Sequence, residues 1–116
     1  MISDWEQQMI EDDGQTLDFW NKRAEGQFKT NKVTDKHLLR LSSNPAIDFT
    51  RVKKVNLWYC SEITDQGVVA LIDKCGDNLE YLFLTDVNKI TNVTLKEIST
   101  KCQHLKYLAL SKVYAE

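Results

Sequence analysis

The chain has 116 residues, 42% of them hydrophobic, and a formal net charge of −2, which suits one small domain with a modest core. Its seventeen acidic and fifteen basic side chains are interspersed; this excludes the one-sided basic footprint of a nucleic-acid binder. No apolar run approaches the roughly 20 residues that cross a bilayer, so direct membrane insertion is not expected.

Residues 1–30 hold seven acidic and three basic side chains, together with Trp5, Phe19, Trp20 and Phe28. Ser3 with Glu6 forms a capping box, the stretch through Met9 and Ile10 is a short helix, and Gly14 marks a turn. We read 1–32 as an acidic, aromatic-rich capping segment, because the first unit of a stack needs a cover; the alternative is a disordered acidic tail, against which the four large aromatics count. The opening residues lack a signal or transit pattern, so the cytoplasm is the expected compartment; a removed presequence would make it mitochondrial.

From residue 33 the chain repeats itself. In register, VKKVNLWYCSEITDQGVVALIDKCGD from Val52 is followed by LEYLFLTDVNKITNVTLKEISTKCQH from Leu79 and LKYLALSKV from Leu105. Val52, Leu79 and Leu105 correspond, as do Val55, Leu82 and Leu108, and Leu57, Leu84 and Leu110, at separations of 27 and then 26 residues. Cys60, Val87 and Val113 follow at the next equivalent place. Alternation within these stretches predicts strands.

A second block follows each of the first two strands, Ile63-Thr64-Asp65 and Ile90-Thr91-Asn92, and Val33-Thr34-Asp35 is an earlier copy of it. Thr, Asp and Asn side chains accept hydrogen bonds from the free amides that open a helix. Val68, Leu71 and Cys75, then Leu95, Ile98 and Cys102, give the inward stripe of such helices. Leu38 and Leu41 do so in an irregular earlier unit that Pro45 must end. The expected units are therefore an irregular 33–51, then 52–78, 79–104 and a partial 105–116, a full unit being strand, turn and helix. No unit can bury its apolar face alone.

The pattern LxxLxLxxC/V…ITDxxΦxxΦ…C, carried most fully by Leu79, Leu82, Leu84, Ile90, Thr91, Leu95, Ile98 and Cys102, resembles the cysteine-containing leucine-rich repeats of F-box/leucine-rich-repeat proteins. The resemblance implies an α/β solenoid of about three units with a parallel sheet on its concave face, preceded here by a helical cap. No Leu-Pro-rich F-box-like stretch precedes the repeats. A looser resemblance, to the leucine-rich-repeat proteins of the mitochondrial ATP synthase coupling factor B and complex I distal-arm assembly type, rests on Tyr81 to Asp86.

On the outward face of the strands the rows are Lys54, Tyr81 and Tyr107, then Asn56, Phe83 and Ala109, then Trp58, Thr85 and Ser111, with Tyr59, Asp86 and Lys112 at the strand ends. Strands about 4.8 Å apart would join Trp58, Phe83, Tyr81 and Tyr107 into one aromatic patch, of the kind enriched at interface centres. Alternatively, the N-terminal segment folds back over these rings. At the other end no helix follows the third strand, so Leu108 and Leu110 are expected to face a partner.

Chemistry finds little support. Cys60, Cys75 and Cys102 are separated by 15 and 27 residues without a CxxC, which favours buried free thiols over a disulfide framework or zinc site. His37 and His104 share no acid or thiol partner, the four glycines form no phosphate loop, and the carboxylates lack calcium-loop spacing. No cofactor, metal or catalytic activity is expected. The leading expectation is a non-catalytic protein-interaction module, a structural or assembly subunit of a larger complex; the alternative is a soluble adaptor of F-box/leucine-rich-repeat type working in protein turnover.

Overall fold

The computed structural model describes residues 2–20 and 33–110. Phe28, Ser111, Lys112 and Val113, which figure in the expectations above, lie outside them. Helix α1 (Asp4–Met9) begins at the expected capping box: the buried Glu6 carboxylate accepts from the Ser3 N–H at 3.0 Å and its hydroxyl at 2.9 Å. Asn44 donates to the same oxygen at 3.1 Å, fastening this helix to the chain 38 residues on. A 3₁₀ turn over Asp12–Gly14, with Gly14 at φ 87° where a side chain is strained, then reverses the chain. Strand β1 (Ile10–Glu11) consequently pairs antiparallel with β2 (Thr16–Asp18).

The chain continues as α2 (Asp35–Ser42), β3 (Lys54–Asn56), α3 (Asp65–Cys75), β4 (Tyr81–Leu84), α4 (Asn92–Lys101) and β5 (Tyr107–Leu110). The fold is α/β, with a five-stranded sheet in the order β1-β2-β3-β4-β5, parallel from β2 onward. Register follows the sequence alignment: Val55 lies opposite Leu82, and Leu82 opposite Leu108. Beyond the expected helix, the N-terminal segment supplies two strands. Residues 16–18 are a parallel rung of the sheet, with Leu17 opposite Val55 and Asp18 opposite Asn56.

Alternation makes one side of each strand apolar. Leu17, Val55 and Leu82, then Phe19, Leu57 and Leu84, are buried in one core with Leu38, Leu41, Val68, Leu71, Cys75 and Ile98 from the helices. Helix α2 packs on α3, and α3 on α4. One carbonyl per connection takes two amides: Gln15 from Lys53 and Lys54, Lys53 from Glu80 and Tyr81, and Glu80 from Lys106 and Tyr107, all at 2.8–3.1 Å.

The threonine blocks do more than cap their own helices. Thr64 and Thr91 hydroxyls accept from the Gln66 and Val93 amides, as expected of N-caps. Each threonine also donates backward to the aspartate of the preceding block. Asp35 accepts from the Thr64 N–H at 2.9 Å and its hydroxyl, and from the Gly67 N–H at 3.2 Å. Asp65 accepts from the Thr91 N–H at 2.8 Å, its hydroxyl at 2.6 Å and the Thr94 hydroxyl. Gly67 and Thr94 occupy equivalent places: the Gly67 amide donates to Asp35, and Thr94 bonds Asp65 through both its hydroxyl and its backbone. A Cβ on Gly67 would lie 2.4 Å from the Asp35 carboxylate, so a larger residue there would make that side chain shift.

Burial pushes the Asp65 carboxyl up, but the hydrogen bonds from Thr91 and Thr94 together hold it below its ordinary value of 3.8. A depressed folded-state pKa contributes stability that is present above the ordinary aspartate range and lost as pH falls through the folded value. Asp65→Asn should therefore destabilise the chain by about 1–2 kcal/mol at neutral pH. Urea unfolding from about pH 6 to about pH 3 should show that gap closing on acidification; a gap independent of pH would contradict the assignment.

Candidate functional site

Strand β3 ends at Asn56, whose side-chain oxygen accepts the Trp58 N–H at 3.0 Å and turns the chain out of the sheet. The expectation that Trp58 stands on the strand face is thereby corrected: it sits in the turn that follows. Tyr59 comes next at φ 64°, a left-handed backbone that costs a non-glycine residue roughly 1–2 kcal/mol. The strain is held from two sides. The Tyr59 N–H donates to the Thr85 carbonyl at 3.0 Å, and its ring stacks on Trp58 with centroids 5.4 Å apart and planes 7° from parallel. Asp86, at the equivalent place after β4, has φ 60°.

Trp20 completes this group, 5.7 Å from Trp58 and 5.2 Å from Tyr59. Its placement repeats the Trp58 device. Asp18, opposite Asn56 in the sheet, accepts the Trp20 N–H at 2.8 Å. The stretch Thr16-Leu17-Asp18-Phe19-Trp20 thus matches Lys54-Val55-Asn56-Leu57-Trp58 position by position. The sequence carries the signal, an Asx residue two before a Trp between apolar neighbours, but at a separation of 38 residues rather than 27.

Other expected surface residues meet in pairs on the neighbouring strands. Phe83 meets Tyr107 at 5.4 Å, and the Lys54 ammonium lies 5.8 Å from the Tyr81 ring centroid, a cation–π distance. Among the described residues the rings meet as Trp58 with Trp20 and Tyr59, and as Phe83 with Tyr107. Tyr59, Tyr81 and Tyr107 are exposed, and Trp58 is half-buried. The Trp58 indole N–H is buried with no acceptor among the described residues, a state proteins seldom leave unexplained.

At the β5 edge the burial pattern changes. Leu57 and Leu84 are fully buried, whereas Leu110 at the equivalent place is 38% exposed and Leu108 is only half-buried. Val93 at the start of α4 is exposed as well. Along the lower rim, Glu80 lies between Lys53 at 3.6 Å and Lys106 at 3.4 Å.

The thiols are placed for packing. All three are free and buried. Burial pushes the Cys75 thiol up to about 12, with Cys102 adding to the effect, and the Cys102 thiol up to about 11, with Asp77 and Glu97 adding. The Cys75 thiol donates to the Leu71 carbonyl at 3.2 Å. A thiol held protonated in this way is a poor nucleophile and metal ligand. His37 is engaged locally, its Nδ1 accepting the Thr34 N–H at 3.0 Å, and burial followed by the charge of Arg40 lowers its pKa. Among the described residues no group of three His, Cys, Asp or Glu side chains could hold a metal ion, and no helix is long and apolar enough to cross a membrane. No protein-family model matches the chain.

If the cysteines serve only packing, Ellman's reagent at pH 8 should react with the native protein at least about a hundredfold more slowly than with the unfolded chain. Rapid reaction of Cys75 or Cys102 in the native state would contradict this placement.

Proposed function

We propose that the chain is a non-catalytic protein-interaction module, a short stack of leucine-rich-repeat-like units that serves as a subunit of a larger assembly. The observation that carries this reading is Leu110: the residue type that seals each earlier rung at full burial is 38% exposed on the last described one. The strained, stacked Tyr59 beside Trp58, and the exposed Tyr81 and Tyr107, support a second contact region on the strand side of the sheet. Aromatic residues of this kind supply large contact area at small entropic cost and concentrate binding energy. Lys54, Asn56, Phe83 and Asp86 complete the contact surface in this reading, and Leu108 joins Leu110 at the edge.

Three buried free thiols suit a reducing compartment, and the cytoplasm is the compartment proposed. The repeat register, with Val55, Leu82 and Leu108 in line, supports the leucine-rich-repeat assignment over an unrelated α/β arrangement.

Affinity purification of the tagged chain from its native source should recover a stoichiometric protein partner. Trp58→Ala should weaken that complex by about 2 kcal/mol while leaving the thermal midpoint within a few degrees. Recovery of the chain alone as a monomer, or loss of folding rather than affinity on Trp58→Ala, would contradict the proposal.

A further inference from the structure

Resting on the reading of β5 as a docking edge, we infer that its occupant is an acidic-apolar strand of another protein, of the form acid-x-Φ-x-Φ, added parallel to β5 as the next rung of the sheet. The chemistry of the edge is set by the rungs already filled. At each one, a single carbonyl just before the strand receives two amides of the incoming strand: Gln15 receives β3, Lys53 receives β4, and Glu80 receives β5. The next carbonyl in this series is that of Lys106. Beside it, Leu108 and Leu110 stand where Leu82 and Leu84 receive the apolar residues of β5. Main-chain pairing with pockets for alternate side chains is how an extended segment adds to a sheet edge.

Charge specifies what precedes the incoming strand. The row along the rim reads Lys53, Glu80, Lys106, with each ammonium within 3.6 Å of the Glu80 carboxylate. The alternation leaves Lys106, 64% exposed, at the outer end of the row, and an acid on the incoming strand continues it. The wider surface agrees, since residues 87–110 contain Lys89, Lys96, Lys101 and Lys106 against Glu97 alone. Lys89 and Lys101 already turn back to Glu62 and to Asp73 and Glu97. Complementary charge of this sort selects partners and register more than it adds affinity.

A second copy fits less well. An antiparallel β5–β5 pair would offer Lys106 no acid from the other copy's strand, because Tyr107–Leu110 is uncharged. The opposite edge of a second copy is also poor, because β1 spans only two residues and short edge strands resist addition.

The probe is an acetylated, amidated peptide LEYLFLTD with Gly-Ser at each end, which carries the acid-x-Φ-x-Φ order of β4 itself. It would be titrated into the ¹⁵N-labelled full chain and followed by amide chemical shifts. Shifts confined to Lys106–Leu110 and their β4 neighbours are expected. The chain variant Lys106→Glu, at an exposed position, should lose about fivefold in affinity for this peptide. The same variant should recover affinity for the peptide bearing Glu80→Lys.

Shifts elsewhere, no shifts, or indifference to both charge reversals would overturn the inference. So would light scattering that shows a dimer through β5 which the peptide does not dissociate. If the tagged chain still recovers a stoichiometric partner whose binding ignores Lys106→Glu and Leu110→Glu, the acidic-strand inference alone fails; if no partner is recovered, the interaction-module reading fails with it.

Discussion

The carboxylates of Asp35 and Asp65 each sit at the opening of one helix and accept from both the amide and the hydroxyl of the threonine that opens the next. A charged acceptor with several short donors is worth more than neutral hydrogen bonds, and leaving it half-satisfied would cost more than it contributes. The consequence is geometric. A strand that slipped by one residue would turn its apolar side outward, and it would also carry threonine away from aspartate. Core packing and this polar latch therefore demand the same register, and such agreement between levels of structure makes one fold preferred over its neighbours.

That register was legible because its chemistry recurs at a nearly constant separation. The alignment of Val55, Leu82 and Leu108 named the core side of β3, β4 and β5, and Val-Thr-Asp, Ile-Thr-Asp and Ile-Thr-Asn named the starts of α2, α3 and α4. The threonine was readable as a cap; its second bond, backward to an aspartate 26 or 29 residues earlier, belongs to tertiary structure and has no local signature. Residues 16–20 were hidden for a different reason. They match residues 54–58 closely, but the 38-residue separation falls outside the period.

The surface was less legible than the core. Alternation alone continues a strand through Trp58, but the Asn56 side chain competes with the ladder for the Trp58 amide and ends the strand. The same competition at Asp18 delivers Trp20 to the same cluster. Local side-chain capping thus built an aromatic group out of two segments that the sequence keeps well apart, and it moved Trp58 from the strand face to the strand end. The edge at β5 is the complementary case. Its residue types promise a buried rung, and the exposure of Leu110 marks where the burial stops.

Each aspartate thus holds the unit after it in register. The test is amide hydrogen exchange on the native chain and on Asp65→Ala, read at Thr64 and Thr91. Thr91, which donates to Asp65, should lose at least about tenfold more protection than Thr64, whose acceptor Asp35 is untouched. Equal losses at the two amides, or an unchanged Thr91, would contradict it.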